Sequence, residues 1–396
     1  MTPTPEITHE HPLHFEVVAG DPQGARVGRM TTGHGVVDTP AFMPVGTRGA
    51  VKGVAPDQLR SLGAQIMLAN AYHLADRPGP EIIRQVGGLH RFASWSGPIL
   101  TDSGGFQVLS LAELRKIDEE GVEFRSPVDG RALKLTPENI LDIQGTLGSD
   151  IAMILDHCPP ANIDRSSAEE ALERTMKWIR RAARYRQELR TPEPMAVFGI
   201  QQGGAFEDLR QQAGRELAEL PFDGFAVGGV SVGEDRDVLF ETIPWGARAL
   251  PPEKPRYLMG VGGLPEFTHA VSAGIDLFDC VIPTRNARNG NLFLRGGGVL
   301  RIKNSSHKTD TRPIEEGCDC PTCQNYSRAF LHHLVLRREF LGYTLTSLHN
   351  LRVFLRYLEE VREAIRESRW AEFVAEEKRR WRLAEDGGAG GGSDRR

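Results

Sequence analysis

"MAVFGIQ", residues 195–201, has six successive apolar or glycine positions before its first polar side chain. A strand with one wet face alternates apolar and polar residues. This run does not alternate, so both of its faces must be covered. Parallel strands packed beneath helices have that property. Seven further runs of the same kind lie on either side: "AFMPV" (41–45), "IMLAN" (66–70), "PILTD" (98–102), "IAMILD" (151–156), "GFAVGG" (224–229), "RYLMG" (256–260) and "GIDLFD" (274–279). Most end in a polar residue or glycine, and amphipathic stretches lie between them. In "SSAEEALERTMKWIRRAARYRQEL" (166–189), Ala171, Met176, Ile179 and Ala183 fall at helical spacing, and Ser166 or Ser167 can cap the helix. Eight strand–helix units predict an α/β fold, a (β/α)8 TIM-type barrel. The rival is a doubly wound open sheet, but no G-x-G-x-x-G opens a helix after the first strand.

Two stretches break the repeat. Residues 13–38 alternate like an antiparallel meander, expected to cover the bottom of a barrel that spans 13–280. Residues 281–349 follow the eighth run, carry the β-like pieces "NLFLR" and "VLRIK", and read as an inserted subdomain. A last helix over 350–384 would complete the barrel, with Leu351, Phe354, Leu355, Leu358, Val361 and Ile365 on one face. Residues 1–12 are expected to be flexible, and the glycine-rich 385–396 a disordered tail.

Composition narrows the class. The chain has 396 residues, a formal charge of -5 and five cysteines. An odd, small cysteine count argues against a disulfide framework and for a reducing compartment. The start shows no secretory signal, and no run approaches the roughly 18–20 apolar residues that a membrane helix needs. The expected location is the cytoplasm. An acidic chain has no global nucleic-acid footprint, so any such surface must be local.

Three of the five cysteines crowd into "GCDCPTCQNYS", residues 317–327. Cys318, Cys320 and Cys323 at this density call for a cation, and zinc is the usual one. His332, His333 and His349 are candidates for a fourth ligand, and spacing does not choose between them. Three thiolates and one imidazole make a closed, structural site that would hold a small module together. The plainer reading is a set of free thiols or a redox pair.

In a barrel the chemistry sits where the strands run out. The ends of the eight runs supply Asn70, Asp102, Asp156, Gln201 or Gln202, Gly228–Gly229, Met259–Gly260 and Asp279. Two carboxylates in one cleft suit substitution at an anomeric carbon, one attacking and one shuttling protons. Amide and glycine backbone beside them suit a flat heterocycle. A lone aspartate after a strand is more often a helix cap than a catalyst.

"TDSGGFQV", "LGSDIAMILD", "FGIQQGG", "FAVGGVSVGE", "YLMGVGG", "GIDLFDCVIPTRNARNG" and the Cys-x-Cys-x2-Cys with its later "HN" together resemble the bacterial queuine tRNA-ribosyltransferase (tRNA-guanine transglycosylase) family, over about residues 13–383. The resemblance implies a (β/α)8 barrel with a zinc subdomain. It implies a glycosyltransferase that exchanges guanine at wobble position 34 of tRNAs with GUN anticodons (Asp, Asn, His, Tyr) for the queuosine precursor preQ1, through a covalent enzyme–RNA intermediate. The same reaction with queuine is the alternative. By the resemblance, Asp279 is the nucleophile and Asp102 the general acid/base. Phe106, Asp156, Gln202, Gly229, Val230, Glu234 and Met259 bind the base. Arg285 and Arg288 read RNA. Cys318, Cys320, Cys323 and His349 hold one structural Zn(2+) per subunit, and His332 and His333 become helix residues. The implied partners are tRNA with a U-G-U anticodon loop, the preQ1 base and a second copy of the chain.

Two local departures, His157 in "DHCPP" and Val230–Ser231 in "GGVSVGE", flank the implied base pocket and bear on base selectivity. Residues 285–338 hold ten Lys and Arg against four Asp and Glu, a local basic surplus in an acidic chain. A small-molecule glycosidase or nucleosidase would need the carboxylates but neither the cysteine cluster nor this basic stretch. A catalytically silent partner, a kind the family also contains, would lack one of the two carboxylates.

Overall fold

The computed structural model describes residues 5–105, 115–126 and 129–388. Strand β1 (His14–Gly20), β2 (Arg26–Thr32) and β3 (Gly35–Thr39) form an antiparallel sheet. The barrel follows, in β4 (Ala41–Pro44), β5 (Met67–Asn70) and β6 (Ile99–Asp102). Three short strands, β7 (Arg115–Ile117), β8 (Val122–Arg125) and β9 (Ala132–Leu135), make a separate antiparallel sheet before the barrel resumes. Its remaining strands are β10 (Ile151–Met153), β11 (Ala196–Gln201), β12 (Gly224–Val227), β13 (Arg256–Leu258) and β14 (Leu277–Cys280). A hairpin of β15 (Asn291–Phe293) and β16 (Val299–Arg301) comes next.

Each of the eight apolar runs contains a barrel strand, and all pair in parallel in the order β4-β14-β13-β12-β11-β10-β6-β5. The ends meet through a parallel bridge between Val45 and Leu68, and Gly46 N–H donates to Leu68 O at 2.7 Å. The sheet is therefore a barrel rather than the open alternative. Every residue of β4–β6 and β10–β13 is buried. That is why the runs show no alternation: helices cover one face and the barrel interior the other. In β14 one position is only partly buried, and it is Asp279.

The β1–β3 sheet sits against the N-terminal ends of the barrel strands. Arg26 clasps Asp276, just before β14, at 3.0 and 2.5 Å, and also donates to Lys254 O at 2.9 Å. Beyond it, His34 Nδ1 and His90 Nε2 each lie 2.9 Å from a different oxygen of Asp150, the residue before β10, with their rings stacked 3.5 Å apart.

Helix Arg165–Glu188 buries Ala171, Met176, Ile179 and Ala183 as spaced. Its cap is neither serine: Asp164 accepts the Ser167 N–H at 2.8 Å, so the helix starts at Arg165, two or three residues earlier than a serine cap would place it. The last segment is two helices, Phe340–Arg366 and Trp370–Gly388, where one over 350–384 was expected. The break falls at Ser368, whose φ of 57° no helix interior accepts. The first of them begins ten residues early and so carries His349 within it, while its anticipated apolar face is buried in the barrel core. The second reaches into the stretch expected as tail. Among the described residues, no helix is long and apolar enough to cross a membrane.

Candidate active site and metal centre

The C-terminal ends of the barrel strands open into a cavity of about 360 Å3. Asp102, Asp156, Gln202, Gly229, Val230, Met259, Asp279 and Arg285 all line it. Residues from six strands and their following loops thus reach one space, as barrel geometry dictates. Register accounts for the details. β5 and β6 pair with Asn70 directly beside Asp102, and Asn70 Nδ2 donates to Asp102 Oδ2 at 2.7 Å. Tyr257 of β13 donates its hydroxyl to Asp279 Oδ1 at 2.6 Å, and Gly260 N–H donates to the same oxygen at 2.7 Å. Among the described residues none donates to Asp279 Oδ2.

Asp156 and Gln202 are joined by a 2.6 Å bond from Gln202 Nε2 to Asp156 Oδ2. Gln202 Oε1 is buried and has no partner among the described residues. Two glycines make room for this pair. A Cβ at Gly105 would stand 1.8 Å from Asp156 Oδ1, and one at Gly229, where φ is +63°, would stand 2.2 Å from Gln202 Oε1. Glu234 reaches the same wall from behind, accepting the Ser231 N–H and, at 2.9 Å, the Val232 N–H.

The three aspartates differ electrostatically. Burial, with the neighbouring Asp156 and Asp279 charges, raises the pKa of Asp102 to about 7. Burial raises Asp156 to about 6, against the hydrogen bond from Gln202. Burial also raises Asp279, opposed by the Tyr257 and Gly260 donors that favour its anion. One carboxyl is thus poised to exchange a proton near neutrality beside a hydrogen-bonded carboxylate with an accessible oxygen, an arrangement suited to acid–base and nucleophilic chemistry.

The structure separates some residues that the sequence grouped. Gln202, not Gln201, faces the cavity, because Gln201 turns outward to bond Arg210 O at 2.9 Å and Gly246 O at 3.3 Å. Arg288 is not a cavity residue; it ends helix Ile282–Arg288, partly buried, with Nη1 unpartnered among the described residues. Phe106 lies outside the described residues. His157 is not in the cavity lining, and its Nδ1 lies 3.0 Å from Arg174 Nη1. Asn70 stood at the mouth in the sequence reading without a role, and Tyr257 was missed. Tyr257 precedes the strand's last residue, and only pairing across β13 and β14 aims it at Asp279.

The cysteine cluster is a second, separate centre. The Sγ atoms of Cys318, Cys320 and Cys323 lie 3.7, 3.7 and 3.4 Å from His349 Nδ1. A tetrahedral ion with metal–sulfur bonds near 2.3 Å and a metal–nitrogen bond near 2.0 Å would set these separations at about 3.5 Å. The four residues therefore fit a metal ion with zinc's preferences. The other ring nitrogen, Nε2, lies 2.8 Å from Phe293 O, the contact that fixes tautomer and orientation in metal-binding histidines. His332 is excluded as a ligand because its Nδ1 lies 2.7 Å from Ile302 O in the module's packing, and His333 is exposed. The small core here, from Leu292 to Leu345, is distinct from the barrel core and includes the three cysteines.

Similarity to known proteins agrees with this geometry. A family model described as queuine tRNA-ribosyltransferase matches residues 21–382. A queuine tRNA-ribosyltransferase of Pseudoalteromonas translucida is 50% identical over 362 residues, covering 91% of this chain and 95% of its own. One from Synechococcus elongatus is 52% identical over 341 residues, covering 86% and 88%. One from Vibrio cholerae is 49% identical over 352 residues, covering 89% and 92%. With a barrel, a carboxylate-lined mouth and a Cys3His centre already in place, these matches show that the chain belongs to the queuine tRNA-ribosyltransferase family.

Proposed function

We propose that this chain is a tRNA-guanine transglycosylase that replaces guanine at wobble position 34 of tRNAs with GUN anticodons by preQ1. The observation that carries the reading is the pairing at the barrel mouth. Asp279 presents an accessible oxygen from a hydrogen-bonded carboxylate, and Asp102 has a pKa near 7. In this reading an Asp279 oxygen attacks C1′, and the C1′–N9 bond breaks with its electron pair going to guanine. Asp102 donates a proton to the departing base. It then takes one from the incoming base, whose N9 attacks C1′ and releases Asp279.

Asp156, Gln202 and the Gly229–Val230 backbone suit the base's edges, and Gln202 Oε1 is an unused acceptor there. Glu234 holds the Ser231 N–H, so the Val230 carbonyl of that trans peptide points the other way, where it can accept from an aminomethyl group. Phe106 and Met259 are assigned to the faces of the ring, and Arg285 and Arg288 to the RNA around the U-G-U loop.

The Cys318, Cys320, Cys323 and His349 set is assigned one structural zinc per subunit, holding the 281–349 subdomain in shape for RNA. A homodimer is supported by apolar side chains left in water on that subdomain and the helix after it, including Phe330, Leu336, Leu341 and the 86% exposed Phe340. The location assigned is the cytoplasm, where tRNA is met.

The test is incorporation of labelled guanine into unmodified tRNA(Tyr), with preQ1 as competitor. Incorporation suppressed by preQ1 and absent from Asp279→Asn is the expected result. A folded, metal-loaded wild type that incorporates nothing would refute the reading. Suppression by queuine but not preQ1 would reassign the base.

A further inference from the structure

Helix Glu207–Ala218 turns one cation inward. Arg210 is fully buried, and it stands behind the cavity wall rather than in it. Its Nε donates to Gly204 O at 2.7 Å, and its Nη2 to Gly228 O at 3.1 Å and Gly229 O at 3.2 Å. Nη1 has no partner among the described residues. A buried guanidinium with an unmet donor is costly to keep, and a neutral side chain could fill the space without that cost. Its bonds show what it does there.

A trans peptide is planar, with its C=O and N–H pointing in opposite directions. Arg210 draws the Gly228 and Gly229 carbonyls backward, so the N–H groups of Gly229 and Val230 point forward. Both residues line the cavity, and the Gly229 N–H meets Cys158, another cavity residue. Gly229 is held at φ +63°, a conformation that needs an external restraint to be unique. On the next peptides the arrangement reverses: the Glu234 anion binds the N–H groups of Ser231 and Val232. One wall is thus pinned by a cation on two carbonyls and by an anion on two amides.

We propose that Arg210 is a positioning residue: by holding the Gly228 and Gly229 carbonyls it presents the Gly229 and Val230 amides to the cavity, and so selects a base with a carbonyl oxygen on that edge. This rests on the base-pocket reading above. Arg210 touches no substrate and acts through the backbone it holds.

The test compares guanine with 2,6-diaminopurine, which carries an amino group in place of the C6 carbonyl. Both are measured as free bases, guanine by exchange kinetics on tRNA and diaminopurine as an inhibitor, in wild type, Arg210→Met and Arg210→Lys. Loss of the aligned donors raises the guanine KM about tenfold or more in Arg210→Met, the size of one to two hydrogen bonds. The kcat, the tRNA KM and the diaminopurine inhibition constant change by no more than about threefold, a factor worth well under one hydrogen bond. Lysine, which keeps the charge but lacks the fork, gives a smaller shift of the same selectivity. It carries the test if Arg210→Met does not fold. Equal weakening of both bases, or an unchanged guanine KM, overturns the proposal. A wild type that exchanges tRNA guanine but does not distinguish the two bases removes the pocket reading itself, and the proposal with it.

Discussion

In the proposed mechanism Asp279 is the nucleophile, and its neighbours fix it. Both of its donors, Tyr257 and Gly260, converge on Oδ1, which orients the carboxylate and leaves Oδ2 for attack. Tyr257→Phe should lower the exchange rate about tenfold, the size of one hydrogen bond to a charged group, with the tRNA KM little changed. Steady-state kinetics on unmodified tRNA checks this. In the proposed mechanism Asp102 sets the pH response. With its pKa raised to about 7, it is a competent acid below neutrality and loses its proton above. The kcat/KM profile should therefore fall above about pH 7, and Asp102→Asn should remove that limb while costing about 10²–10⁴-fold in rate. Both aspartates were legible in the sequence because each ends an apolar run. Tyr257 and the role of Asn70 were not, because they depend on which strands pair and in what register.

At the scale of elements, the Cys3His centre and the bottom sheet make different predictions. The module's core is small and contains the cysteines themselves, so a bound metal would take the place of apolar burial. Metal analysis should find one ion per chain. His349→Ala should abolish that stoichiometry and lower the melting temperature by roughly 5–10 °C, the effect of a few kcal/mol at this size. Because His349 lies on the helix that also closes the barrel, the loss should reach beyond the module.

The His34–Asp150 contact is pH-dependent. The hydrogen bond to Asp150 raises the His34 pKa, and Asp150 is held below its usual range by its two histidine partners, against burial. The His34 contribution is present below its unfolded pKa of about 6.5 and is lost as pH rises through the higher folded value. The Asp150 contribution is present above its unfolded pKa of about 3.9 and is lost as pH falls toward the lower folded value. The melting-temperature difference between wild type and His34→Ala should therefore be largest below the unfolded His34 pKa of about 6.5 and shrink as pH rises through the raised folded value. The barrel strands could be read because burial on both faces leaves an unbroken apolar mark. The β7–β9 sheet could not: its segments are three or four residues long, and β9 alternates only weakly in burial.

For the whole molecule, the question is how an acidic chain binds an anion. The basic surplus over 285–338 is smaller in practice than in the sequence. Arg295 is committed to Glu360 and Glu377, and Arg312 and Arg328 to Asp310. Counting over that stretch includes Asp310 but misses Glu360 and Glu377, which lie on the C-terminal helices. Arg301 and Lys303 are exposed and in none of the observed ion pairs, so they remain for phosphate. Replacing both with alanine should reduce the salt slope of tRNA binding by about 2 while leaving base selectivity intact. The central claim is covalent catalysis by Asp279, and the direct measurement is a trapped adduct. Wild type and Asp279→Asn are incubated with unmodified tRNA(Tyr) and resolved under denaturing conditions, and any adduct is mapped by peptide mass. The account predicts a chain–tRNA band in wild type that maps to Asp279, disappears on adding free base, and never forms in the variant. An adduct that persists in Asp279→Asn, or that maps to Asp102, would contradict it.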